Sequence, residues 1–400
     1  MSDDATDTGD TSIIFDGWRS ISFAVFLALV GYSVMVTVPV LSTALVNGLG
    51  FTEEQVGRVW GADLGGLSIG AVTAALLLAR INRRHLVMAG IVLCIGANAL
   101  AMFTVEYEPL LWLRVAAGIG SGIFTGTAVA TLGGTSRPER AFNILLLGFS
   151  FSAAFELHLF PQLTLNGIYL FLMGSAAVCA LFLRWLPTRP LNEEELLQQE
   201  KFEDHLEDWH VPKFLPLVCL TAVCFTYINI GGYFTYIELA ALSDGLSPEW
   251  VSPLLTWSSF LALFGCVLAL ICSRYGLFKP LFAALLTMAV LVAMLSGGIN
   301  KTNLLVSVFA FMALWTFVDV FQSAMMGHMD RSGSLVALLP AVQGFGQFVG
   351  PNIAASILGA GLGYSVMFMV SGSMALVAMV LYIGIFLYMH RRRTAVAAAA

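Results

Sequence analysis

Residues 113–122 have the sequence LRVAAGIGSG, which places Arg114, Gly118 and Gly122 within an apolar stretch that runs from 110 to 132. A helix needs about 20 residues to cross the hydrocarbon core of a bilayer, and this stretch is long enough. Gly118 and Gly122 share one helix face, and small residues on one face let a second helix approach closely. The stretch therefore predicts a membrane-spanning helix that packs tightly against a neighbour.

The whole chain has the composition of an integral membrane protein. Of its 400 residues, 58% are hydrophobic and 11% are charged, and the mean hydropathy is +0.85. Twelve stretches with few or no charges are long enough to span a bilayer as helices, which predicts an all-α membrane fold. They cover residues 21–46, 60–79, 86–105, 110–132, 142–162, 167–186, 214–242, 250–273, 280–299, 303–327, 334–361 and 365–389.

Lysine and arginine residues are concentrated on one side of this predicted bundle. If the N-terminus is cytoplasmic, the outer segments hold only Arg58 and Lys301. The inner segments then hold Arg19, Arg80, Arg83, Arg84, Arg137, Arg140, Arg184, Arg189, Lys201, Lys213, Arg274, Lys279, Arg331, Arg391, Arg392 and Arg393. Because basic loops are retained in the cytoplasm, we expect a multi-pass protein of a cell membrane, a bacterial inner membrane, with both termini cytoplasmic.

One hydrophilic segment, residues 187–213, divides the predicted spans six and six. We expect an acidic cytoplasmic tail over residues 1–20, an N-terminal half over 21–186, a C-terminal half over 214–389 and a basic cytoplasmic tail over 390–400. The charges of the dividing segment predict a solvated linker, and a regulatory or partner-binding role is the alternative.

Two short basic turns occupy matching places in the two halves. The first, AALLLARINRRHL at residues 74–86, follows the second predicted span, and ALICSRYGLFKPL at residues 269–281 follows the eighth. At these turns the chain resembles the major facilitator superfamily, whose loop signature is Gly-x-Leu-x-Asp-Arg-x-Gly-Arg-Arg. The residues that fit are Ala75, Leu77, Arg80, Arg83 and Arg84 in the first copy, and Arg274 and Gly276 in the second.

The resemblance implies that these turns gate the two halves of the molecule. In the family, the acid of the loop is thought to pair with helix ends and to lock the outward-open state. Here Ala79 replaces that acid, Asn82 replaces the second glycine, and Ser273 stands at the position of the acid in the second copy. We therefore expect gating residues at Arg80, Arg83, Arg84, Arg274 and Gly276, without the acid that usually completes the gate.

The fourth span strengthens the resemblance. Arg114, Gly118, Gly120 and Gly122 match the family pattern Arg-x-x-x-Gly-x-Gly-x-Gly. The family's antiporter motif, Gly-x-x-x-Gly-Pro, is missing from the fifth span but occurs in the eleventh as GQFVGP, residues 346–351. The family fold implies two six-helix pseudo-repeats in which spans one, four, seven and ten line a central cavity.

Three acids and one arginine inside predicted spans are candidates for ion coupling. An ionisable residue at lipid depth is costly, so it marks a functional site unless it is paired or reaches the interface. The candidates are Glu156 and Asp319, followed by Asp63 and Arg114. His158 is two residues from Glu156 and therefore points elsewhere on the helix. For Arg114, the alternative is a side chain that extends to the outer interface.

Aromatic and amide residues of the spans are candidates for solute binding. Gly231 and Gly232 weaken the middle of the seventh helix, and transporters tolerate such weak points where the backbone lines a cavity. The candidate set is Tyr32, Tyr227, Asn229, Tyr233, Trp315, Gln322, Gln343 and Gln347. For the aromatic residues, packing against neighbouring helices is the alternative, and the two glutamines of the eleventh span could instead join helices.

These patterns predict a secondary active transporter that moves a small neutral, cationic or singly charged organic solute by alternating access, coupled to protons or sodium. Phosphorylated or multiply anionic solutes need several cationic side chains, and Arg114 is the only basic residue well inside a span. Two alternatives stay open, which are a multidrug-type efflux transporter and a non-transporting sensor or assembly factor built on a transporter scaffold.

Enzymatic chemistry is not expected from the sequence. The six histidines are scattered without the spacing of metal ligands, and the six cysteines lie within predicted spans, also without such spacing. We expect no cofactor and no metal. We expect the chain to be a monomer. Its expected partners are the lipid bilayer, a small-molecule substrate and a coupling ion, and we expect no binding of nucleic acid.

Overall fold

The computed structural model describes the backbone of residues 17–78, 80–135, 138–187, 212, 214–329 and 338–399. Side chains are described over the same residues except 138–139, 327–328 and 392–399. The predicted acidic tail up to residue 16, nearly all of the predicted linker and most side chains of the basic tail therefore lie outside the described residues. Ala79, Arg137, Arg189, Lys201, Lys213 and Arg331 lie outside them as well, and so do the side chains of Arg392 and Arg393.

Each of the twelve predicted spans corresponds to a helix, and the described residues form no strand. The prediction of an all-α fold with twelve membrane helices is confirmed. The helices are α1 (Trp18–Leu49), α2 (Glu53–Leu77), α3 (Arg83–Ala101), α4 (Tyr107–Gly133), α5 (Pro138–Leu159), α6 (Leu165–Leu181), α7 (Phe214–Ser243), α8 (Pro248–Tyr275), α9 (Phe278–Ala293), α10 (Lys301–Met329), α11 (Leu339–Gly359) and α12 (Gly363–Ala399).

Ten of the described helices are long and apolar enough to cross a membrane. The other two are α6, an apolar helix of 17 residues, and α11, whose 21 residues include Gln343, Gln347 and Asn352. The amides lower the hydropathy of α11, although its length suffices for a span. Helix α8 consists of two α-helical parts, Pro248–Ser258 and Leu261–Cys272, followed by a 3-10 turn.

The turn between α1 and α2 fixes the start of α2 firmly. Gly50 ends α1 in the left-handed region at φ 67°, which glycine adopts without steric cost. The Thr52 hydroxyl then accepts a hydrogen bond from the Gln55 backbone N–H at 3.3 Å, and the Gln55 side chain accepts one from the Thr52 N–H at 3.0 Å. This reciprocal capping box satisfies two N–H groups that the first helical turn leaves unpaired.

Glycines allow α2 and α4 to pack backbone against backbone. A Cβ atom added to Gly118 would lie 2.0 Å from the Asp63 carbonyl oxygen, and one on Gly122 would lie 2.0 Å from that of Leu67. From the other side, a Cβ on Gly70 would lie 2.2 Å from the Ile119 carbonyl oxygen. No larger residue fits at these positions without moving a helix, so the glycine spacing in the fourth span serves close helix contact.

A second glycine face of α2 contacts the C-terminal half. Gly57, Gly61 and Gly65 are spaced by four residues and face α11. A Cβ on Gly61 would lie 2.5 Å from the Asn352 side-chain nitrogen, and one on Gly65 would lie 2.9 Å from the Phe348 ring. Helix α2 therefore joins α4 of its own half to α11 of the other half.

Further contacts join the halves at the end of the bundle that is predicted to face outward. The Tyr236 hydroxyl of α7 donates to the backbone oxygen of Glu53 at 2.7 Å, and the Tyr364 hydroxyl of α12 donates to the Glu53 carboxylate. The first turn of α2 thus binds two helices of the C-terminal half. Deeper in the bundle, a further contact joins the halves, because the rings of Phe151 on α5 and Phe260 in the break of α8 meet edge to face at 5.4 Å.

Candidate functional site

Asp319 lies in α10, where α7, α10 and α11 converge. The Tyr227 hydroxyl of α7 is 2.6 and 2.7 Å from the two carboxylate oxygens of Asp319, and the Gln343 amide of α11 is 3.4 Å from one of them. Trp315, one helical turn before Asp319, meets the Tyr227 ring edge to face at 6.5 Å. A Cβ on Gly346 would lie 2.6 Å from the Cβ of Tyr227, so this glycine lets α11 approach.

Polar groups around Asp319 stay partly accessible in the middle of the bundle. Asp319 and Gln343 are half-buried, and so is Tyr32 of α1. The Tyr32 ring meets that of Phe149 of α5 edge to face at 6.1 Å, and Tyr32 lies within electrostatic reach of Asp319. Half-buried polar side chains at mid-helix positions are expected where helices line a cavity rather than lipid. The Asp319 cluster, defined as Asp319, Tyr227, Trp315, Gln343 and Tyr32, is therefore the leading candidate site.

Glu156 forms a second polar site, between α1 and α5. One carboxylate oxygen accepts a hydrogen bond from Ser33 of α1 at 2.8 Å, and the other accepts one from Ser152 at 3.1 Å. Glu156 is only 4% exposed, whereas His158 on the same helix is exposed. The two residues therefore have opposite environments, as their spacing predicts.

Neither Glu156 nor Asp319 has a cationic partner among the described residues. The ion pairs there with N–O distances within 4.0 Å join Arg58 to Glu54 and Arg114 to Asp63. Hydroxyl and amide donors stabilise a carboxylate less than a guanidinium or ammonium group does, and an unpaired charge away from water is costly. Either carboxyl group is therefore suited to hold a proton, a metal cation or a cationic group of a solute.

Asp63 and Arg114 form an ion pair inside the N-terminal half. Arg114 is fully buried, so it does not extend to the interface, and its Nη1 is 3.4 Å from Asp63 Oδ2. Its Nη2 donates to the Asn98 side chain of α3 at 2.9 Å, and its guanidinium lies over the Tyr169 ring of α6 at 5.1 Å. The pair thus lies among α2, α3, α4 and α6, away from the Asp319 cluster.

Four of the proposed solute-binding residues are buried in helix contacts. Asn229 donates to the Ser371 backbone oxygen of α12 at 2.7 Å. The Tyr233 hydroxyl is 3.0 Å from that of Ser307 in α10, and Gln322 donates to the Thr226 hydroxyl at 2.8 Å. Gln347 is buried on α11, where a Cβ on Gly231 would lie 3.1 Å from its Cα. None of the hydrogen bonds of these four side chains joins a member of the Asp319 cluster among the described residues.

The first basic turn is held by hydrogen bonds to neighbouring helices. Arg84 donates to the backbone oxygens of Arg184 and Leu186 at 2.6 and 2.7 Å, and Arg83 donates to the Thr131 hydroxyl at 3.3 Å. Asn82, which replaces the family glycine, caps α3 by accepting from the Arg84 N–H at 2.9 Å. The asparagine thus has a local structural role of its own. Arg80 is exposed.

The second basic turn is exposed. Arg274 lies over the ring of Tyr275 at 4.8 Å, and Gly276 adopts φ 84°. That backbone conformation disfavours any residue with a Cβ, which accounts for the glycine at this place in the turn.

Sequence patterns did not identify Ser33 as part of the Glu156 site. It is 123 residues from Glu156 and has no charge or motif of its own. Among the described residues, no group of three or more histidine, cysteine, aspartate and glutamate side chains could hold a metal ion.

Comparison with solved structures finds the same fold in membrane transporters. A point mutant of the nucleoside transporter NupG gives a TM-score of 0.73 at 12% identity, over 92% of this chain and 98% of that chain. The D-xylose-proton symporter gives 0.68 at 17% identity, over 91% and 97%. The human organic anion transporter MFSD10 (TETRAN) gives 0.66 at 14% identity, over 94% and 100%. These identities show likeness of fold alone, and no curated protein gives a significant match.

The sequence also matches the family model of the Major Facilitator Superfamily over residues 21–351, which is most of the chain. The match includes the basic turns and the fourth span, so the resemblance inferred from their residues is confirmed, together with the fold of two six-helix pseudo-repeats. The chain belongs to the Major Facilitator Superfamily and is a multi-pass membrane transporter rather than an enzyme.

Proposed function

We propose that the chain is a secondary active transporter that moves a small neutral, cationic or singly charged organic solute by alternating access. The halves, residues 21–186 and 214–389, rock about a site centred on Asp319. The chain acts as a monomer in a bacterial inner membrane with both termini in the cytoplasm, as the distribution of lysine and arginine favours.

One observation carries the proposal. Asp319 lies in the middle of a membrane helix and is hydrogen-bonded by Tyr227 and Gln343, with no cationic side chain within ion-pair distance among the described residues. Enclosing an unpaired carboxylate is costly, and a bound proton or cation removes that cost. A site that closes readily only when a proton or cation is bound couples movement of that ion to movement of the solute.

Chemistry around Asp319 also supports the proposed solute class. Tyr227 and Gln343 can exchange hydrogen bonds with hydroxyl, carbonyl or amine groups, and Trp315 offers a ring for stacking. Solutes with several negative charges need arginine or lysine contacts, which the described part of this cluster lacks.

Glu156 is proposed as the second coupling group. Its carboxyl group joins α5 to α1 through Ser33 and also accepts a hydrogen bond from Ser152 of its own helix, so a change in its charge alters the hydrogen bond between the two helices. A proton is the preferred coupling ion, because two hydroxyl donors provide few of the oxygen ligands that a metal cation needs. Sodium at either carboxylate is the alternative.

The proposal is tested first by thermal unfolding of the purified chain at pH 6 and pH 7.5. Monocarboxylates, aromatic acids, neutral sugars and organic cations are added in turn, because a ligand that binds only the folded state raises the melting temperature. One stabilising class identifies the solute. If no class stabilises the protein, the non-transporting sensor becomes the better description.

Flux into proteoliposomes then tests the coupling residues. In an imposed pH gradient, Asp319→Asn is expected to abolish accumulation of the solute above equilibrium while downhill exchange persists, and Glu156→Gln is expected to reduce accumulation. His158→Gln is the matched control, because His158 is exposed two residues from Glu156. If Asp319→Asn accumulates the solute to the level of the unmodified protein, coupling at this carboxylate is contradicted. If a sodium gradient alone drives accumulation by the unmodified protein, sodium is the coupling ion instead of the proton.

A further inference from the structure

A cluster of arginine and tryptophan side chains lies at the end of the N-terminal half that is predicted to face the cytoplasm. It surrounds the 3-10 turn Leu183–Trp185 that follows α6. The rings of Trp18 and Trp185 meet edge to face at 5.6 Å. The Arg19 guanidinium lies 5.5 Å from the first ring centre and 5.9 Å from the second. Two helix ends that are far apart in sequence thus share one aromatic and cationic surface.

Two further arginines are associated with the same turn, one by contact and one as part of it. Arg84, from the start of α3, donates to the backbone oxygens of Arg184 and Leu186 and thereby fixes the turn against α3. Arg184 is part of the turn, and its side chain is exposed. We name Arg19, Arg84, Arg184, Trp18 and Trp185 the arginine–tryptophan cluster.

The positive charges of this cluster are not neutralised within the described part of the chain. None of its three arginines forms an ion pair within 4.0 Å there, and Arg19 and Arg184 make no hydrogen bond through their side chains there. By contrast, Arg58 at the opposite end of the bundle pairs with Glu54 at 2.7 Å. Three guanidinium groups around one 3-10 turn provide hydrogen-bond donors for an anionic group such as a phosphate.

The position of the cluster identifies that anion. Tryptophan is enriched where a membrane protein meets the head-group region, because the ring is apolar and its N–H is polar. Trp18 is 66% exposed at the first residue of α1, and Phe182 beside Trp185 is 37% exposed at the end of α6. Guanidinium groups can bind the phosphate of a phospholipid, and the apolar rings beside them can contact its acyl chains.

We propose that the arginine–tryptophan cluster is a binding site for the head group of an anionic phospholipid in the adjoining leaflet. The phosphate is held by Arg19 and Arg184, while Arg84 fixes the turn that carries Arg184. Trp18 and Trp185 contact the upper part of the acyl chains. The site is separate from the Asp319 cluster and does not depend on the identity of the transported solute.

Native mass spectrometry of the full chain in detergent, with added phosphatidylglycerol or phosphatidylcholine, tests the site. The unmodified chain is expected to retain phosphatidylglycerol in preference to phosphatidylcholine. The Arg19→Gln/Arg184→Gln variant is expected to bind phosphatidylglycerol on the order of tenfold more weakly, since each arginine near an anionic surface contributes to attraction. Arg19→Lys/Arg184→Lys keeps both charges and is expected to retain most of the binding.

Arg274→Gln is the matched control, because Arg274 is an exposed arginine over an aromatic ring in the second basic turn of the C-terminal half. Equal loss of phosphatidylglycerol in Arg274→Gln and in the double variant would overturn the proposal in favour of general attraction to basic residues. Thermal unfolding separates lipid from free anion. Phosphatidylglycerol is expected to raise the melting temperature and inorganic phosphate is not, and equal stabilisation by phosphate would contradict a lipid site.

Discussion

At the scale of single residues, the Asp63–Arg114 pair is the most demanding feature of the N-terminal half. Both side chains are removed from water, yet the closest N–O distance is 3.4 Å, and Arg114 makes one hydrogen bond with a described side chain, to Asn98. The free-energy cost of removing two charges from water is offset only by good ion-pair geometry and additional hydrogen bonds. The pair therefore contributes less to stability than its proximity suggests, but loss of one partner leaves a buried charge alone.

Asp63→Asn is expected to destabilise the folded chain by about 3–5 kcal/mol, because it leaves the Arg114 charge without a counterion. The Asp63→Asn/Arg114→Gln double variant is expected to be more stable than the single variant, since neither charge remains. Thermal unfolding in detergent measures both, with Glu249→Gln as a control for the same kind of change at an exposed acid. If Asp63→Asn has the same melting temperature as the unmodified protein but loses gradient-driven transport, the pair serves coupling instead of stability.

At the scale of elements, α2 is the helix on which the two halves depend. One face, with Gly66 and Gly70, contacts the backbone of α4, and another, with Gly57, Gly61 and Gly65, contacts α11. Spacing by four residues keeps each set on one face, so two stripes on one helix serve two partners. A helix with side chains at these positions could not lie close to both.

Gly122→Ala is expected to destabilise the chain by about 1–3 kcal/mol, because a Cβ there would overlap the Leu67 carbonyl oxygen and force α4 away from α2. The matched control is Gly96→Ala in α3, where a Cβ meets nothing within 4 Å. That control is expected to be neutral or stabilising, since alanine favours the helix over glycine. Thermal unfolding measures both, and equal melting temperatures for the two variants would show that α4 accommodates the methyl group.

At the scale of the whole molecule, the first turn of α2 holds the predicted outer end of the two halves together. Tyr236 donates to the Glu53 backbone oxygen, and Tyr364 donates to the Glu53 carboxylate. Alternating access requires that such contacts form in one state and break in the other. Under the proposed alternating access, the strength of these two hydrogen bonds sets the balance between the states.

Tyr236→Phe/Tyr364→Phe is expected to shift this balance toward the state that is open at the predicted outer end, by roughly tenfold or more for a lost hydrogen bond to a carboxylate. Spin labels at Phe103→Cys and Leu362→Cys report the distance between the halves there, because both positions are exposed. Tyr388→Phe, near the opposite end of α12, is the control. An unchanged distance distribution in the double variant would show that the two hydroxyl groups do not hold the halves together.

The sequence by itself determined the architecture. Twelve apolar stretches, their separation into six and six and the basic turns at 74–86 and 269–281 were sufficient to predict the fold and the family. The reason is that a bilayer allows few solutions, because backbone polar groups must be satisfied within a helix and the span must match the thickness of the hydrocarbon. Local periodicity also indicated the glycine face of α4.

Only the tertiary structure decided which polar residues meet. Arg114 and Asp319 are both charged residues inside spans, yet one is paired within the N-terminal half and the other has only neutral donors among the described residues. Ser33 donates a hydrogen bond to Glu156, whereas Asn229 contacts α12 and Tyr233 contacts α10. A single helix has several faces in contact with different neighbours, so the partner of a side chain depends on helix rotation and packing, which residue spacing along one helix does not contain.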